Sequence, residues 1–316
     1  MKRTMSGGGI AKGGDSLNEL PQLWPEGVLP KSPPVFPVKN FKSLRYPLWT
    51  QNKARLIQAY LQLFEYITHH GTYIDGFAAP QEYDHPEMWA AKLVLEMKPK
   101  WFRDFWLCDL DPAGVEALKS PQNEHASARR RVNVLEGDFN EKVYDILNSG
   151  QITERKATFA LLDQRTFECE WRTVKALSRH KSTGNKIELF YFFATGWVDR
   201  SLAVVSRAET RKIDRWWGCA DWHKLLGMEG NARAKMVARR FEQELRYRKA
   251  VVYPIHSQRR GGRVMYHMIH ATDHPEAFPL MVRAYRTVSG RPDLEATEQQ
   301  LDFEELLREI QKADCV

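Results

Sequence analysis

Cysteine is scarce in this chain: Cys108, Cys169, Cys219 and Cys315 are the only four among 316 residues, and no two stand in CxxC spacing. That argues against a disulfide framework and a zinc knuckle, and favours a reducing compartment. Long hydrophobic runs are missing too. Nothing approaches the roughly 20 apolar residues of a membrane span, and the opening MKRTMSGGGIAKGG is positively charged without the apolar core of a signal peptide. The expectation is a cytoplasmic protein with no membrane partner. Acidic residues are outnumbered, 40 Asp and Glu against 47 Lys and Arg, giving a formal net charge of +7. Between Arg207 and Lys249 stand twelve Lys or Arg and six Asp or Glu, so one segment carries most of the excess. Such a basic stretch raises the expectation of an anionic partner, DNA or RNA.

A chain of this length can bury one large α/β core or two modest ones. Residues 1–45, rich in Gly, Pro and Ser, resist helix and strand alike and read as a flexible lead-in. From Pro47, Leu56, Tyr60, Leu61, Phe64 and Ile67 recur at helical spacing, and Gly71 is the stop. Short segments then alternate. Residues 72–77, 102–109, 131–135 and 158–162 read as strands; 89–97, 112 to about 119, 141–147 and a stretch beginning near Thr166 read as helices. Asp111-Pro112 supplies an N-cap followed by proline at the first helical position. The next strand, KIELFYFFA at 186–194, is almost wholly apolar, as a central strand covered on both faces must be. A basic helical stretch at about 200–248 follows, then strands 249–256 and 263–271 joined by SQRRGG, a hairpin signal, and helices near 275–287 and 295–312. The expected architecture is a Rossmann-like α/β domain over 46–290, mostly parallel, with a terminal antiparallel hairpin, a basic helical insertion, and a C-terminal helix in 291–316. Among doubly wound folds that ending is characteristic of class I methyltransferases.

In an open α/β sheet, ligands sit beyond the carboxyl ends of the strands at the topological switch point. Four strand ends here carry an aspartate: Asp75 in IDGFAAP, Asp109 in CDLD, Asp138 in EGDFN and Asp163 in LDQR. A cofactor reading follows. Gly76, Phe77, Ala78 and Ala79 form a loop small enough for backbone to approach a ligand, Asp109 accepts from ribose hydroxyls, Asp138 and Phe139 address an adenine, and Asp163 faces the substrate. The bland alternative is that each aspartate caps the helix after it.

The chain also resembles the three-Cys-motif partner (TcmP) family from about Gln51 to Ala284. The likeness rests on HGTYIDGFAAPQ at 70–81, AKLVLE at 91–96, LCDLD at 107–111, GDFN at 137–140, TFALLDQRTFECEW at 158–171, KIELFYFFATGWVDR at 186–200 and YHMIHATDHP at 266–275. The resemblance implies a methyltransferase-like domain and a gene partner of the radical-SAM-like family with three cysteines; the family name refers to that partner, so this chain need not hold an iron-sulfur cluster. Two departures from the general methyltransferase pattern stand out. Ala79-Pro80 occupies the place of a continuing glycine-rich turn, where proline removes a backbone donor. Asp163-Gln164-Arg165 replaces the Asn-Pro-Pro-Tyr or Asp-Pro-Pro-Tyr signature of amino-group nucleic-acid methyltransferases.

The function these features lead us to expect is a methyltransferase-like protein acting on nucleic acid with S-adenosylmethionine, its catalytic residues drawn from Asp163, Gln164, Arg165, Glu168 and Glu170. A nuclease is the first alternative, with Asp163, Glu168 and Glu170 holding Mg2+ or Mn2+; a first-turn position for both glutamates would equally suit the helix dipole. A non-catalytic DNA-binding scaffold is the second. Arg211, Lys212, Arg215, Trp216 and Trp217, with Arg259, Arg260 and Arg263 around the hairpin turn, are candidates for phosphate contact and base stacking. His267 and His270 lie three apart on a strand, on opposite faces, so with Asp273 and His274 they read as buried or capping groups rather than zinc ligands.

Overall fold

The computed structural model describes residues 48–80, 83–165, 167–195, 198, 207–258 and 261–289. The expectations for 1–45 and 291–316 lie outside the described residues. Seven strands form one sheet in the order β3-β2-β1-β4-β5-β7-β6. They are β1 Gly71–Asp75, β2 Phe102–Asp109, β3 Arg131–Glu136, β4 Thr158–Leu162, β5 Glu188–Phe193, β6 Lys249–Gln258 and β7 Gly261–Thr272. The first five run parallel, β7 runs antiparallel to β5, and β6 antiparallel to β7. The expected α/β class and mostly parallel, Rossmann-like sheet with an antiparallel edge pair are therefore present.

Successive side chains of a strand point to opposite faces, and here each face has its own helices. Leu189, Tyr191 and Phe193 of β5 join one apolar cluster while Phe190 and Phe192 join the other; Ala160 and Leu162 of β4 divide from Phe159 and Leu161 in the same way. The first face is covered by α4 Phe139–Leu147, α5 Trp171–Arg179, α6 Arg207–Trp217 and α7 Gly230–Gln243; the second by α1 Leu48–Thr68, α2 Ala90–Glu96 and α8 Ala277–Ser289, with Leu118 of α3 Pro112–His125. Among the described residues no helix is long and apolar enough to cross a membrane.

Several boundaries differ from expectation, each for a local reason. Helix α3 runs past Pro121 to His125, because the buried Leu118, Pro121 and His125 hold it on the sheet and Gln122 Nε2 donates to the Val132 carbonyl at 2.7 Å. Helix α4 starts at Phe139 rather than Glu141, since the Asp138 carboxylate caps it by accepting from Asn140 N–H at 2.9 Å. Helix α5 starts at Trp171, not near Thr166: the Gln164 side-chain oxygen takes the N–H groups of Glu168 and Cys169 at 3.1 and 3.0 Å and holds them out of the helix. The hairpin strands reach Gln258 and Gly261, further than the glycines indicated. Arg259 and Arg260 between them lie outside the described residues, and of Arg263 only the backbone, in β7, is described.

The basic insertion is part of the helical layer. The Trp216 ring stacks on Phe193, 5.8 Å between centroids and 11° between planes, and its indole N–H donates to the Tyr191 hydroxyl at 2.6 Å. The Arg240 guanidinium lies 4.0 Å from the centroids of both Trp171 and Trp217. Gly218 closes α6 against Trp171 with φ +86°, and a Cβ there would stand 2.6 Å from the Trp171 ring. Gly218→Ala combines a left-handed backbone with overpacking, and we expect a loss of about 2–4 kcal/mol in unfolding free energy by urea denaturation; an unchanged midpoint would contradict this packing.

Candidate functional site

The chain leaves β1 for β2 on one side and later pairs β4 on the other, so the loops after β1 and β4 diverge. A cavity of about 600 Å3 opens there, within the range of small-ligand sites. It gathers most of the strand-end residues. Gly76 and Phe77 follow β1, Asp109 ends β2, Asp138 and Phe139 follow β3, and Asp163, Arg165, Glu168 and Glu170 follow β4; Lys212 and Arg215 of α6 close it.

The loop after β1 is held by its own hydrogen bonds. Gly76 N–H donates to the Leu161 carbonyl, Phe77 N–H to Asp75 Oδ1, Ala78 N–H to the Cys108 carbonyl and Ala79 N–H to Asp109 Oδ2. With Pro80 next, four consecutive backbone donors are occupied and the fifth does not exist. The loop after β1 therefore offers a ligand in this cavity no free backbone N–H between Gly76 and Pro80. Gly76 has another reason to be glycine: a Cβ would sit 2.6 Å from the Phe139 ring, which lies across the loop.

Asp109 and Asp138 are fixed at the lip. Asp109 also accepts from Asp111 N–H at 3.0 Å, and Asp138 accepts from the backbone and side-chain amides of Asn140 through Oδ1 alone. Leu110, between the two acids of CDLD, is 70% exposed although large and apolar, and it lines the cavity. Asn140 ties the loops together, its carbonyl oxygen accepting from Glu170 N–H and Thr173 Oγ1 at 2.8 and 2.7 Å and its amide donating to the Glu168 carbonyl at 2.8 Å.

Beneath the cavity lies a contact the sequence does not announce. Lys53 of α1 places its ammonium 2.8 and 2.7 Å from the two oxygens of Asp163, with side chains 4% and 14% exposed. The ammonium also sits 5.1 and 5.2 Å from the centroids of Phe192 and Tyr266. Asp75 and Ala78 are buried beside this pair, lining a small recess of about 30 Å3 behind the main cavity. Burial pushes the Asp75 carboxyl up to about 7, reinforced by the charges of Asp163 and Asp109 and opposed by hydrogen bonds from Tyr73 and Phe77 N–H.

Other expected site residues are placed differently. Gln164 is 1% exposed, and its side chain pins the loop before α5, so it does not face a substrate. Trp216 and Trp217 are buried in the helical layer and offer no face to a base; the interleaving of aromatic and basic residues there belongs to the two sides of an amphipathic helix. Arg211, Lys212 and Arg215 are its exposed side. The three carboxylates proposed for a metal are engaged separately: Asp163 by Lys53, Glu168 by Arg165 N–H at 2.8 Å, and Glu170 by Arg172 and Arg215 at 2.5 and 2.9 Å. Among the described residues no group of three His, Cys, Asp or Glu is placed to hold a metal ion. His267 pairs with Thr195 and His270 with Glu188, on opposite faces of β7. Cys108 and Cys169 are buried, and burial raises both thiols, Cys108 to about 12.

Compared with protein-family models and with curated proteins, the chain matches none.

Two expectations follow. Lys53→Met removes the counter-ion of the largely buried Asp163 and should lower stability by about 3–5 kcal/mol, whereas Lys53→Met with Asp163→Leu should regain most of it in urea unfolding; an additive double mutant would show the pair is not coupled. For Asp75 the raised native value means the fold opposes ionisation, so its contribution to stability is present below the unfolded value near 4 and is lost as pH rises through about 7. Relative to the native chain, Asp75→Asn should therefore gain about 2–4 kcal/mol on going from pH 4 to pH 8; parallel pH profiles would refute this.

Proposed function

We propose that this protein is a methyltransferase-like enzyme that binds S-adenosylmethionine in the 600 Å3 cavity and acts on nucleic acid. The observation that carries the reading is the row of acids at the ends of β2, β3 and β4, with Leu110 and Phe139 between them in one cavity at the switch point. The strand order, with its reversed β7, is in keeping with the class I methyltransferase arrangement.

The residues fit the cofactor in an instructive way. Asp109 accepts from ribose hydroxyls, Asp138 from an adenine amino group, and Leu110 and Phe139 supply apolar surface for the ring. Asp109, Asp111, Asp138, Asp163, Glu168 and Glu170 all line the cavity, a balance that favours a ligand carrying ammonium and sulfonium charge. When bound, S-adenosylmethionine supplies an electrophilic methyl group. Asp163, fixed from below by Lys53, accepts an N–H or O–H of the acceptor and orients it. Lys212 and Arg215 line the cavity, Arg215 paired there with Glu170, and Arg211 is exposed on the same helix; together they give a basic side on which phosphates of a nucleic acid would be neutralised. A radical-SAM-like three-cysteine protein is the partner this reading includes, and the cytoplasm its setting.

Isothermal titration calorimetry of the full chain with S-adenosylmethionine tests the proposal. We expect saturable binding, weakened at least tenfold by Asp109→Ala and by Leu110→Asp with the circular dichroism spectrum unchanged. A folded chain that releases no heat with the cofactor, yet binds a DNA oligonucleotide in a salt-sensitive manner, would replace the enzyme by a binding scaffold; metal-dependent cleavage lost in Asp163→Ala would replace it by a nuclease.

A further inference from the structure

A second cavity opens at the opposite end of the strands, where β4 and β5 begin and β7 ends. Its volume of about 170 Å3 is comparable to the ~150 Å3 at which an apolar protein cavity accepts benzene. Tyr60, Phe64 and Ile67 of α1 and Leu280 of α8 give it an apolar lining, and Ile67 is 43% exposed at its margin. Four cations share the lining, Arg155, Lys156, Lys181 and Lys186.

The acids in the same cavity are fully engaged. Glu154 accepts from the N–H and hydroxyl groups of Ser182 and Thr183, and Glu188 from Tyr60, His270 and Thr272. Two of the cations are likewise neutralised, Lys156 by Asp104 and Lys186 by Asp273. Lys181 and Arg155 are different. Lys181 is 7% exposed, and among the described residues its ammonium has one hydrogen-bond acceptor, the Lys156 carbonyl, and no carboxylate. Burial lowers its value to about 8, with the Lys156 charge adding and Glu154 opposing. Arg155 forms no ion pair or hydrogen bond among the described residues. A buried ammonium with unused donors beside a benzene-sized apolar space has the chemistry of half an ion pair.

We propose that this cavity binds a small aromatic carboxylate, its ring against Tyr60, Phe64 and Leu280 and its carboxylate on Lys181 and Arg155. The proposal is independent of what occupies the larger cavity.

Benzoate is the probe, titrated into the full chain by calorimetry and ligand-observed NMR. The expected result is saturable one-to-one binding at roughly 0.1–1 mM, reasonable for so small a ligand. Benzyl alcohol, of similar size without the charge, should bind at least tenfold more weakly, and inorganic phosphate, charged without a ring, should not saturate. Lys181→Met should weaken benzoate at least tenfold, and Leu280→Trp, which fills the space, should abolish binding. Should Lys181→Met not fold, Arg155→Ala at the exposed side should still weaken benzoate severalfold. The proposal is overturned if folded protein does not bind benzoate saturably, if benzyl alcohol binds as well, or if the variants bind benzoate like the native chain.

Discussion

The pairing of β1 with β2 on one side and β4 on the other is the constraint from which the rest follows. It splits the connecting loops to opposite sides and leaves a crevice between them at the ends of the strands. Once that crevice exists, the residues at or just beyond the ends of β2 and β4 reach it by register, while Asp75, the last residue of β1, stays in the recess behind it. Asp75 is opposite Leu107 in β2 and Leu161 in β4, so Asp109 and Asp163 each follow two residues later. Three carboxylates thus arrive in one neighbourhood, Asp109 and Asp163 in the cavity and Asp75 behind it, close enough for their charges to act on one another.

Crowding acids at one edge is unfavourable unless something opposes it, and the protein uses two devices. One is backbone: the carboxylates of Asp75, Asp109 and Asp138 accept N–H groups from their own loops, and Asp109 a further one from Ala79 in the loop after β1. The other is a single buried cation under Asp163. Asp75, fully buried and with no cation paired to it among the described residues, is the acid of this group whose ionisation burial opposes. The same acids leave the cavity acidic on one wall, with Lys212 and Arg215 of α6 on the other.

Much of this was legible in the sequence because it obeys short-range rules. The alternation of apolar runs gave the strands, the almost wholly apolar β5 gave its central position, and an aspartate at each strand end marked the crevice. Leu110 could have been found, since an apolar residue between two acids at a strand end has nowhere to be buried. What could not be read depends on contacts across the chain. Gln164 and Asn140 look like ordinary polar residues of a loop until the groups they bridge are seen together. Trp216 and Trp217 looked available because composition does not reveal which side of a helix meets the sheet. Lys53, 110 residues before its partner, carries no local signal at all.

That last separation bears on where the protein can be divided. A chain shortened to begin at Gly71 would keep every strand of the sheet and every strand-end aspartate, and by its motifs would pass for the same molecule. It would also lack α1, and with it the counter-ion of Asp163 and the ceiling over one face of β4 and β5. Two chains alike in every motif after β1 can therefore differ in chemistry if their leading helices differ, and a likeness confined to the strands says little about the acid they share.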